Sequence, residues 1–316
     1  MDKMVVTGGA GFIGSNMVEF LLARGIKVVL VDNFSTGREE NLEGWIRTAG
    51  DRAEVVRADV NETARMRAAF QGSRCVFHLA AIPSVATSLA DPKATHESNI
   101  SGTLSVLLAA RDAGVARVVV ASSCAVYGDE PVLPLSENGK VRPLSPYALS
   151  KWACEEYGRL FHRLYRLETV CLRYFNVFGP RQDPRSEYAA VVPRWATRML
   201  RGERPIIYGD GEQTRDFIFV GNILEANWRA AHQPGVAGEI FNIGSGMQTN
   251  LNKLIHALDQ ILGTRTQPIF EAPRTGEVRH SVADVSKARN LLGYSADVGL
   301  EEGLRRVLDW YRAHPG

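Results

Sequence analysis

Long apolar runs, clustered charge and paired cysteines are all missing from this sequence of 316 residues. No apolar stretch reaches the roughly 18 residues that a membrane-spanning helix needs, and no signal-peptide pattern precedes the first predicted strand. The 37 basic residues nearly balance the 35 acidic ones and form no run. We therefore expect a soluble cytoplasmic protein that has neither a nucleic acid nor a membrane as its partner.

The cysteines are few and do not lie at metal-binding spacings. There are four of them, each in an apolar segment: Cys75, Cys124, Cys154 and Cys171. Cysteines in such segments are typical of buried free thiols, which indicate a reducing compartment. The sequence predicts no metal site.

Short apolar strands alternate with helical segments in the first half of the chain. The predicted strands cover 3–8, 27–32, 53–60, 74–81, 116–123 and 167–175, and the predicted helices lie near 12–24, 62–71, 93–113 and 147–165. Continuously apolar strands separated by helices predict a parallel sheet with both faces covered. The expected fold class is α/β, a Rossmann-type doubly wound parallel sheet with a smaller mixed α/β substrate-binding lobe.

The rhythm of strand and helix changes after about residue 180, where Pro, Arg and Gly become frequent and the elements shorten. We interpret this change as the start of a second lobe. The predicted division places a nucleotide-binding domain at 1–175, with a return segment at about 216–243, and the smaller lobe at 176–316.

A glycine-rich turn lies where the first strand meets the first helix. TGGAGFIG, residues 7–14, places Gly8, Gly11 and Gly14 at intervals of three. Such glycines allow a sharp turn and let backbone amides approach a pyrophosphate at the positive end of a helix. Asp32 ends the second strand, where a carboxylate accepts hydrogen bonds from both ribose hydroxyls and repels a 2′-phosphate. The pair favours NAD over NADP.

Five motifs together resemble the extended short-chain dehydrogenase/reductase family, of the UDP-glucose/UDP-N-acetylglucosamine 4-epimerase type. They are TGGAGFIG, Asp32, HLAA (78–81), SSCAVYG (122–128) and the pair Tyr147 and Lys151. The resemblance covers essentially the whole chain and implies NAD as the cofactor. It implies cofactor contacts from Gly8, Gly11, Phe12, Ile13, Gly14, Asp32, Asn33, Ser35, Thr36, Gly37, Asp59, Val60, Leu79, Ala80, Ala81, Asn99, Tyr147, Lys151 and Tyr174.

Tyr147 and Lys151 stand at positions i and i+4 of a predicted helix and so share one face. A free tyrosine has a pKa of about 10, and bringing it near 7 requires roughly 4 kcal/mol. A neighbouring ammonium and the positive charge of oxidised nicotinamide can supply that energy in a dry pocket. The resemblance implies a catalytic hydroxyl four residues before Tyr127, which is Ser123. By strand alternation Ser122 points to the opposite face.

The residues that follow Ser123 bear on the type of reaction. Dehydratases and decarboxylases of the family carry acids there, whereas this chain has Cys124, Ala125 and Val126. We expect Cys124 to line the pocket without attacking, because no adjacent histidine can activate it. Without an acid to drive elimination, a redox-neutral 4-epimerisation through a 4-keto sugar remains. His78 and His280 are expected to be structural.

The resemblance also implies a UDP-sugar site. Its contacts are Ser84, Ser123, Cys124, Tyr147, Asn176, Ala190, Val191, Tyr208, Arg215, Arg274, Glu277 and Ser281. In the family Asn176 binds the diphosphate, the two arginines clamp it, and residues 190–195 form a loop around the uracil. Glu277 stands where the family usually has Asp. Ser281 stands where relatives confined to UDP-glucose and UDP-galactose carry tyrosine, so it predicts room for a 2-acetamido group.

Three alternatives remain open at this stage. The chain can be a UDP-glucuronate 4-epimerase, another nucleotide-sugar epimerase or dehydratase of the family, or a non-catalytic NAD-sensing protein on the same fold. The last is disfavoured because Tyr147, Lys151 and the arginines are intact. The resemblance further implies a homodimer with a four-helix interface, since the helices near 93–113 and 147–165 carry surplus apolar residues such as Leu107, Trp152 and Leu160.

Overall fold

The computed structural model describes residues 2–185, 190–273 and 278–315. Its strands are β1 Lys3–Thr7, β2 Lys27–Asp32, β3 Ala53–Arg57, β4 Cys75–His78, β5 Arg117–Ser123, β6 Glu168–Tyr174, β7 Asn176–Phe178, β8 Ile206–Tyr208, β9 Thr214–Arg215, β10 Phe217–Phe219, β11 Ile240–Ile243, β12 Thr249–Asn250 and β13 Ile269–Glu271. Its α-helices are α1 Phe12–Ala23, α2 Glu43–Ala49, α3 Thr63–Phe70, α4 Val85–Ala90, α5 Pro92–Thr95, α6 Gly102–Asp112, α7 Pro146–Tyr165, α8 Val191–Leu200, α9 Val220–His232, α10 Leu251–Leu262, α11 Ser286–Leu292 and α12 Leu300–Ala313.

A seven-stranded parallel sheet forms the centre, with the strand order β11-β6-β5-β4-β1-β2-β3. The predicted α/β fold of the Rossmann type is confirmed. Strands β2 and β3 follow β1 on one side of it in the sheet, whereas β4, β5, β6 and β11 follow one another on its other side. In open α/β sheets ligands bind outside the carboxyl ends of the strands at this switch point, here between β1 and β4.

Both faces of the sheet are buried, as the continuously apolar strands predicted. In β1 the side chains of Met4 and Val6 pack into one core cluster while Val5 packs into the other. This division follows from the period of two in a strand. The edge strand β3 departs from the prediction: it ends at Arg57, short of residue 60, and most of its side chains are exposed. A strand at the edge has only one neighbour, so fewer side chains are covered.

Helix α7 begins where its sequence indicates. Ser145 accepts a hydrogen bond from the Ala148 amide (3.1 Å), and Pro146 occupies the first helical position. A serine cap followed by proline is a typical helix start, and it places Tyr147 in the first turn. The helix predicted near 93–113 is instead α5 and α6 joined by a six-residue π-helical turn, His96–Ser101.

The second half of the chain adds β11 next to β6 and packs α9 against α1, β5 and β6. It also forms three two-stranded sheets: β10 with β7, β12 with β9, and β13 with β8. The division into two lobes with the stated bounds stays a prediction. Across the described ranges, every helix is too short or too polar to cross a bilayer.

Candidate functional site

The predicted site residues converge on the carboxyl ends of the central strands. The strand registers align Thr7 with His78, His78 with Val120, and Ser123 with Tyr174. The segments that follow β1, β4, β5 and β6 therefore leave the sheet at one edge. They carry the glycine turn, HLAA, Ser123 and Asn176, which are distant in sequence.

The glycine-rich turn fits a dinucleotide. A Cβ atom on Gly8, whose φ is +69°, would lie 2.7 Å from the Ala80 backbone, and one on Gly14 would lie 2.0 Å from the Gly8 carbonyl oxygen. Only glycine allows this approach of the turn to HLAA. The amino end of α1 has no side-chain cap and no acidic residue in its first turn. Its amides, beginning near Phe12, Ile13 and Gly14, are placed for a pyrophosphate.

Asp32 is buried at the end of β2 and organises the loop that follows. Its carboxylate accepts hydrogen bonds from the amides of Ala10 (2.9 Å) and Phe34 (2.8 Å). A Cβ atom on Gly37 would lie 2.8 Å from the carboxylate, so the loop closes tightly around it. A carboxylate has about four acceptor positions, which leaves capacity for the hydroxyls of a ribose.

A second polar group lies at the ends of β2 and β3. Asn33 donates to Asp59 (2.7 Å), Ser35 donates to Asn33 (2.8 Å), and Asn61 donates to Asp59 through its backbone and side chain. Burial opposes ionisation of Asp59, but the hydrogen bonds from Asn61 and Asn33 outweigh it and lower its pKa. Thr36 is exposed and Val60 is buried. The structure thus brings together the residues predicted to surround the adenosine.

The proposed catalytic residues lie between β5 and the first turns of α7. The Tyr147 side chain is half-buried, and burial raises its pKa to about 12 while hydrogen bonding with Ser123 opposes that rise. The Lys151 Nζ donates to the carbonyl of Ala121 (2.9 Å) and lies 6.0 Å from the Tyr147 ring centroid. Burial lowers the pKa of Lys151, against the influence of Cys154 and Glu155.

These shifts keep the Tyr147 hydroxyl protonated at neutral pH in the protein alone. Lowering the pKa of Tyr147 to near 7 costs roughly 4 kcal/mol from the ordinary value of 10, but roughly 7 kcal/mol from the value of about 12 in this fold. The sequence predicted that the pKa of Tyr147 must be lowered, but not that burial first raises it. Positive charge brought by a bound group is needed before Tyr147 can act as a base.

The three adjacent residues Ser122, Ser123 and Cys124 have different surroundings. Ser122 is buried and donates to Glu155 (2.5 Å), away from Tyr147. Burial raises the pKa of the Cys124 thiol to about 11, with Asp216 adding to the rise and a hydrogen bond to Ser281 opposing it. Cys124 is therefore a neutral thiol at physiological pH and, as predicted, not an activated nucleophile.

Several predicted site residues have side chains already engaged within the protein. Asn99 accepts from the Ile82 amide (2.8 Å) and donates to the Ile82 carbonyl (3.1 Å) and to Ser150 (2.9 Å). Ser84 caps α4, and the hydroxyl of Tyr174 bonds Asn227, where burial raises its pKa. We infer that Asn99 supports the loop Leu79–Ala81 from behind, and that Tyr174 offers its ring or backbone to a ligand.

The two histidines have neighbours that suit structural roles. His78 lies between the hydroxyls of Thr7 (2.8 Å) and Thr103 (3.0 Å), and burial lowers its pKa to about 3. It is therefore neutral and cannot serve as an acid–base group near neutral pH. His280 contacts the Thr214 hydroxyl at 3.0 Å.

The residues predicted to hold the UDP moiety are partly assembled. Asn176 donates its amide to the Asp216 carbonyl (3.0 Å), which places it beside Arg215. Its side-chain oxygen is buried and has no hydrogen-bond partner among the described residues. Arg215 donates to the carbonyls of Thr214 (2.9 Å) and Arg279 (3.2 Å).

Two features of this region differ from the sequence-based picture. Residues 190–195 are not a loop: α8 begins at Val191, directly after Ala190, because Pro193 is tolerated in a first turn and Trp195 is buried there. Gln213 was missed. It donates to the Tyr208 carbonyl (2.6 Å), and its side-chain oxygen is buried without a partner in the part of the chain that the structure describes. Arg274 and Glu277 lie outside the described residues.

Comparison with known proteins gives a consistent match over nearly the full length. Residues 4–244 match the family model described as "NAD dependent epimerase/dehydratase family". The UDP-glucose 4-epimerase of Mycolicibacterium smegmatis is 40% identical over 313 residues, which cover 98% of this chain and 98% of that protein.

Two solved structures resemble the whole chain. One is the UDP-N-acetylglucosamine 4-epimerase from Methanobrevibacter ruminantium in complex with UDP-N-acetylmuramic acid, with a TM-score of 0.93, 38% identity and coverage of 99% of this chain and 98% of that chain. The other is the UDP-glucose 4-epimerase from Thermotoga maritima with UDP-glucose, with a TM-score of 0.93, 38% identity and coverage of 99% and 100%.

Proposed function

Because the chain belongs to the NAD dependent epimerase/dehydratase family, we propose that it interconverts the gluco and galacto forms of a UDP-hexose. The family resemblance and the cofactor NAD, both predicted from the sequence, are confirmed. The predicted enzyme class is also confirmed, because the relatives are UDP-sugar 4-epimerases and hence isomerases. The proposed substrates are UDP-N-acetylglucosamine and UDP-N-acetylgalactosamine, with UDP-glucose and UDP-galactose beside them.

The observation that carries this proposal is the lack of an available acid beside Ser123 in the described structure. The two positions that follow Ser123 hold a neutral thiol, Cys124, and Ala125. The nearby carboxylate of Asp216 is buried and accepts hydrogen bonds from Ser245, Gly246 and Ala283. Proton transfer is therefore confined to Tyr147, which suits oxidation and reduction at one carbon and not elimination or decarboxylation.

In the proposed mechanism Tyr147, as phenolate, takes the proton of the sugar C4 hydroxyl. Ser123, which lies close enough to Tyr147 to influence its pKa, aligns the C4 hydroxyl. NAD, held by the glycine turn and Asp32, would supply a reversible hydride acceptor for C4, so that the reaction would leave no net oxidation. Lys151, one turn along α7, holds positive charge near the phenolate and is placed to bind the cofactor ribose. After the 4-keto sugar has rotated to present its opposite face, Tyr147 returns the proton to the C4 oxygen.

Rotation of the 4-keto sugar within the site requires that the nucleotide is bound tightly and the hexose loosely. We assign the tight hold to Arg215 and the buried amide of Asn176, together with Arg274 from the sequence. Arginine suits this task because its guanidinium is permanently charged and binds phosphate oxygens in pairs. Since β7 and β9 position the first two residues, the diphosphate can stay fixed while the hexose rotates.

Substrate range is assigned to Ser281, whose hydroxyl lies close enough to Cys124 to influence the pKa of that thiol. Both side chains are small, so the pocket wall opposite the sugar leaves room for a 2-acetamido group. Ser281→Tyr is expected to lower kcat/KM for UDP-N-acetylglucosamine by about 100-fold or more through steric overlap, and for UDP-glucose by less than about tenfold. Ser281→Ala, which keeps the space, serves as the control. Undiminished turnover of the acetylated sugar by Ser281→Tyr contradicts the assignment.

One assay tests the function itself. The protein is incubated with UDP-glucose, UDP-N-acetylglucosamine and UDP-glucuronate separately, and the C4 products are identified by NMR. We expect the galacto product from the first two at equilibrium, without accumulation of NADH. Turnover of UDP-glucuronate alone supports the alternative epimerase, and net release of NADH refutes the epimerase mechanism.

We also propose a homodimer formed through α6 and α7. On α7, the side chains of Leu149, Trp152 and Leu160 are all more than a third exposed to solvent. Leu89 on α4 is 64% exposed. An apolar face of this kind is typical of an interface. Leu107 does not belong to it, because it is completely buried in the core on the sheet side of α6.

A further inference from the structure

A fully buried ion pair lies next to the proposed active site and takes no part in the chemistry described above. Glu155 on α7 and Arg173 on β6 are joined by two hydrogen bonds of 2.7 Å, Nε to Oε1 and Nη2 to Oε2. Their side chains are 0% and 3% exposed. Burial of two charges demands a reason, because their desolvation offsets much of their attraction.

The pair belongs to a row of polar residues that crosses the sheet. The strand registers align Ser122 with Arg173 and Arg173 with Asn242, on β5, β6 and β11. Ser122 donates to Glu155 (2.5 Å), Arg173 donates to the Tyr127 hydroxyl (2.8 Å), and that hydroxyl donates to Asn242 (2.7 Å). Each donor in this row has an acceptor, so the row has one arrangement.

This row lies one residue before the site along two strands. Ser122 precedes Ser123, and Arg173 precedes Tyr174. On α7, Glu155 follows Lys151 by one turn and Tyr147 by two turns, so the three share one face of the helix. Two residues at the end of β5 hydrogen bond to this face: the Ala121 carbonyl accepts from Lys151 (2.9 Å) and Ser122 donates to Glu155 (2.5 Å). The next residue, Ser123, lies close enough to Tyr147 to influence its pKa.

We propose that Glu155, Arg173 and Ser122 are positioning residues that hold α7 in register with β5 and so set the distance between Tyr147 and Ser123. Apolar side chains of similar size would stabilise the core about as well, but they would not determine where α7 sits along β5. A bidentate carboxylate–guanidinium pair has a single geometry. This inference rests on the proposed function, in which a misplacement of about 1 Å between reacting groups lowers the rate about 100-fold.

The same two strands carry a second arginine–glutamate pair at their other ends, in which the glutamate, Glu168, is 46% exposed; this pair serves as the control. Arg117 at the start of β5 bonds Glu168 at the start of β6 through Nε (2.8 Å) and Nη2 (2.5 Å), and it also donates to the carbonyls of Ala230 and Gln233. This pair joins β5 to β6 but does not contact α7. Its loss should affect stability without affecting catalysis.

The experiment compares three variants of the full chain with its cofactor: Ser122→Ala, the double variant Glu155→Leu with Arg173→Met, and the control Arg117→Met. Ser122→Ala keeps the ion pair and removes only its link to β5. Each protein is measured for kcat, for KM, for bound NAD, for the urea midpoint, and for deuterium exchange of the backbone amides of residues 147–155.

We expect kcat to fall about tenfold in Ser122→Ala and about 100-fold in the double variant, with KM and bound NAD changed by less than about threefold. The urea midpoint of the double variant should fall modestly, because the buried Ser122 hydroxyl loses its acceptor, while the amides of residues 147–155 exchange faster in both variants. Arg117→Met should have a lower midpoint with unchanged kcat and unchanged exchange in α7.

Wild-type kcat and wild-type exchange in Ser122→Ala overturn the inference, and so does a folded double variant with wild-type kcat. Equal loss of kcat in Arg117→Met also overturns it. If the double variant does not fold, Ser122→Ala decides. A wild type that epimerises none of the UDP-sugars refutes the proposed function instead, and the exchange of α7 then decides the inference alone.

Discussion

Binding of oxidised NAD is expected to release a proton from Tyr147, so that the affinity for NAD rises with pH. In the protein alone burial raises the pKa of Tyr147 to about 12, and only about one molecule in ten thousand is ionised at pH 8. A base at neutral pH needs a pKa near 7, so the positive nicotinamide must contribute roughly 7 kcal/mol of coupling. By linkage, the affinity then increases about tenfold per pH unit between the two pKa values.

Calorimetry of the cofactor-free protein tests this coupling. Titrations with NAD in two buffers of different ionisation enthalpy, at pH 8 and pH 9, are expected to give nearly one proton released per site. NADH, whose nicotinamide is uncharged, should release none in the same protein. Tyr147→Phe should remove both the proton and the slope. A slope that persists in Tyr147→Phe, or an equal slope for NADH, refutes the reasoning, as does a flat response of the wild type.

Three further outcomes follow from the same site and its surroundings. Ser123→Ala should retain NAD but lose about 100-fold in kcat, measured by C4 product formation; full activity means that another hydroxyl aligns the substrate. Gly14→Ala should weaken NAD binding at least tenfold, because its Cβ would lie 2.0 Å from the Gly8 carbonyl oxygen, whereas Gly44→Ala, in open space, should bind normally. Trp152→Glu should convert a dimer to a monomer by light scattering, while Met247→Glu, at 70% exposure, should not; a Trp152→Glu dimer contradicts the proposed interface.

The parts of the fold that were predictable depend on short stretches of chain. TGGAGFIG predicted the turn because the spacing of its glycines is contained within eight consecutive residues. Ser145-Pro146 predicted the start of α7 because a helix cap depends only on neighbouring residues. Residues 190–195 were predicted as a loop by resemblance, but the segment buries Trp195 as the first turns of α8. Whether a short polar–apolar segment coils into a helix depends on the surface available to cover it, which local sequence does not contain.

The sequence by itself predicted the doubly wound sheet and the cofactor class, because the spacing of apolar residues and glycines acts along the chain. The catalytic roles of Ser123, Tyr147 and Lys151 came from the family resemblance and stay predictions. Only the tertiary structure decided the protonation of Tyr147, the commitment of Asp216 to backbone donors and the engagement of Ser122 by Glu155. These properties depend on which groups surround a side chain in space. Burial and hydrogen bonding between residues far apart in sequence set them, so they appear only when the chain has folded.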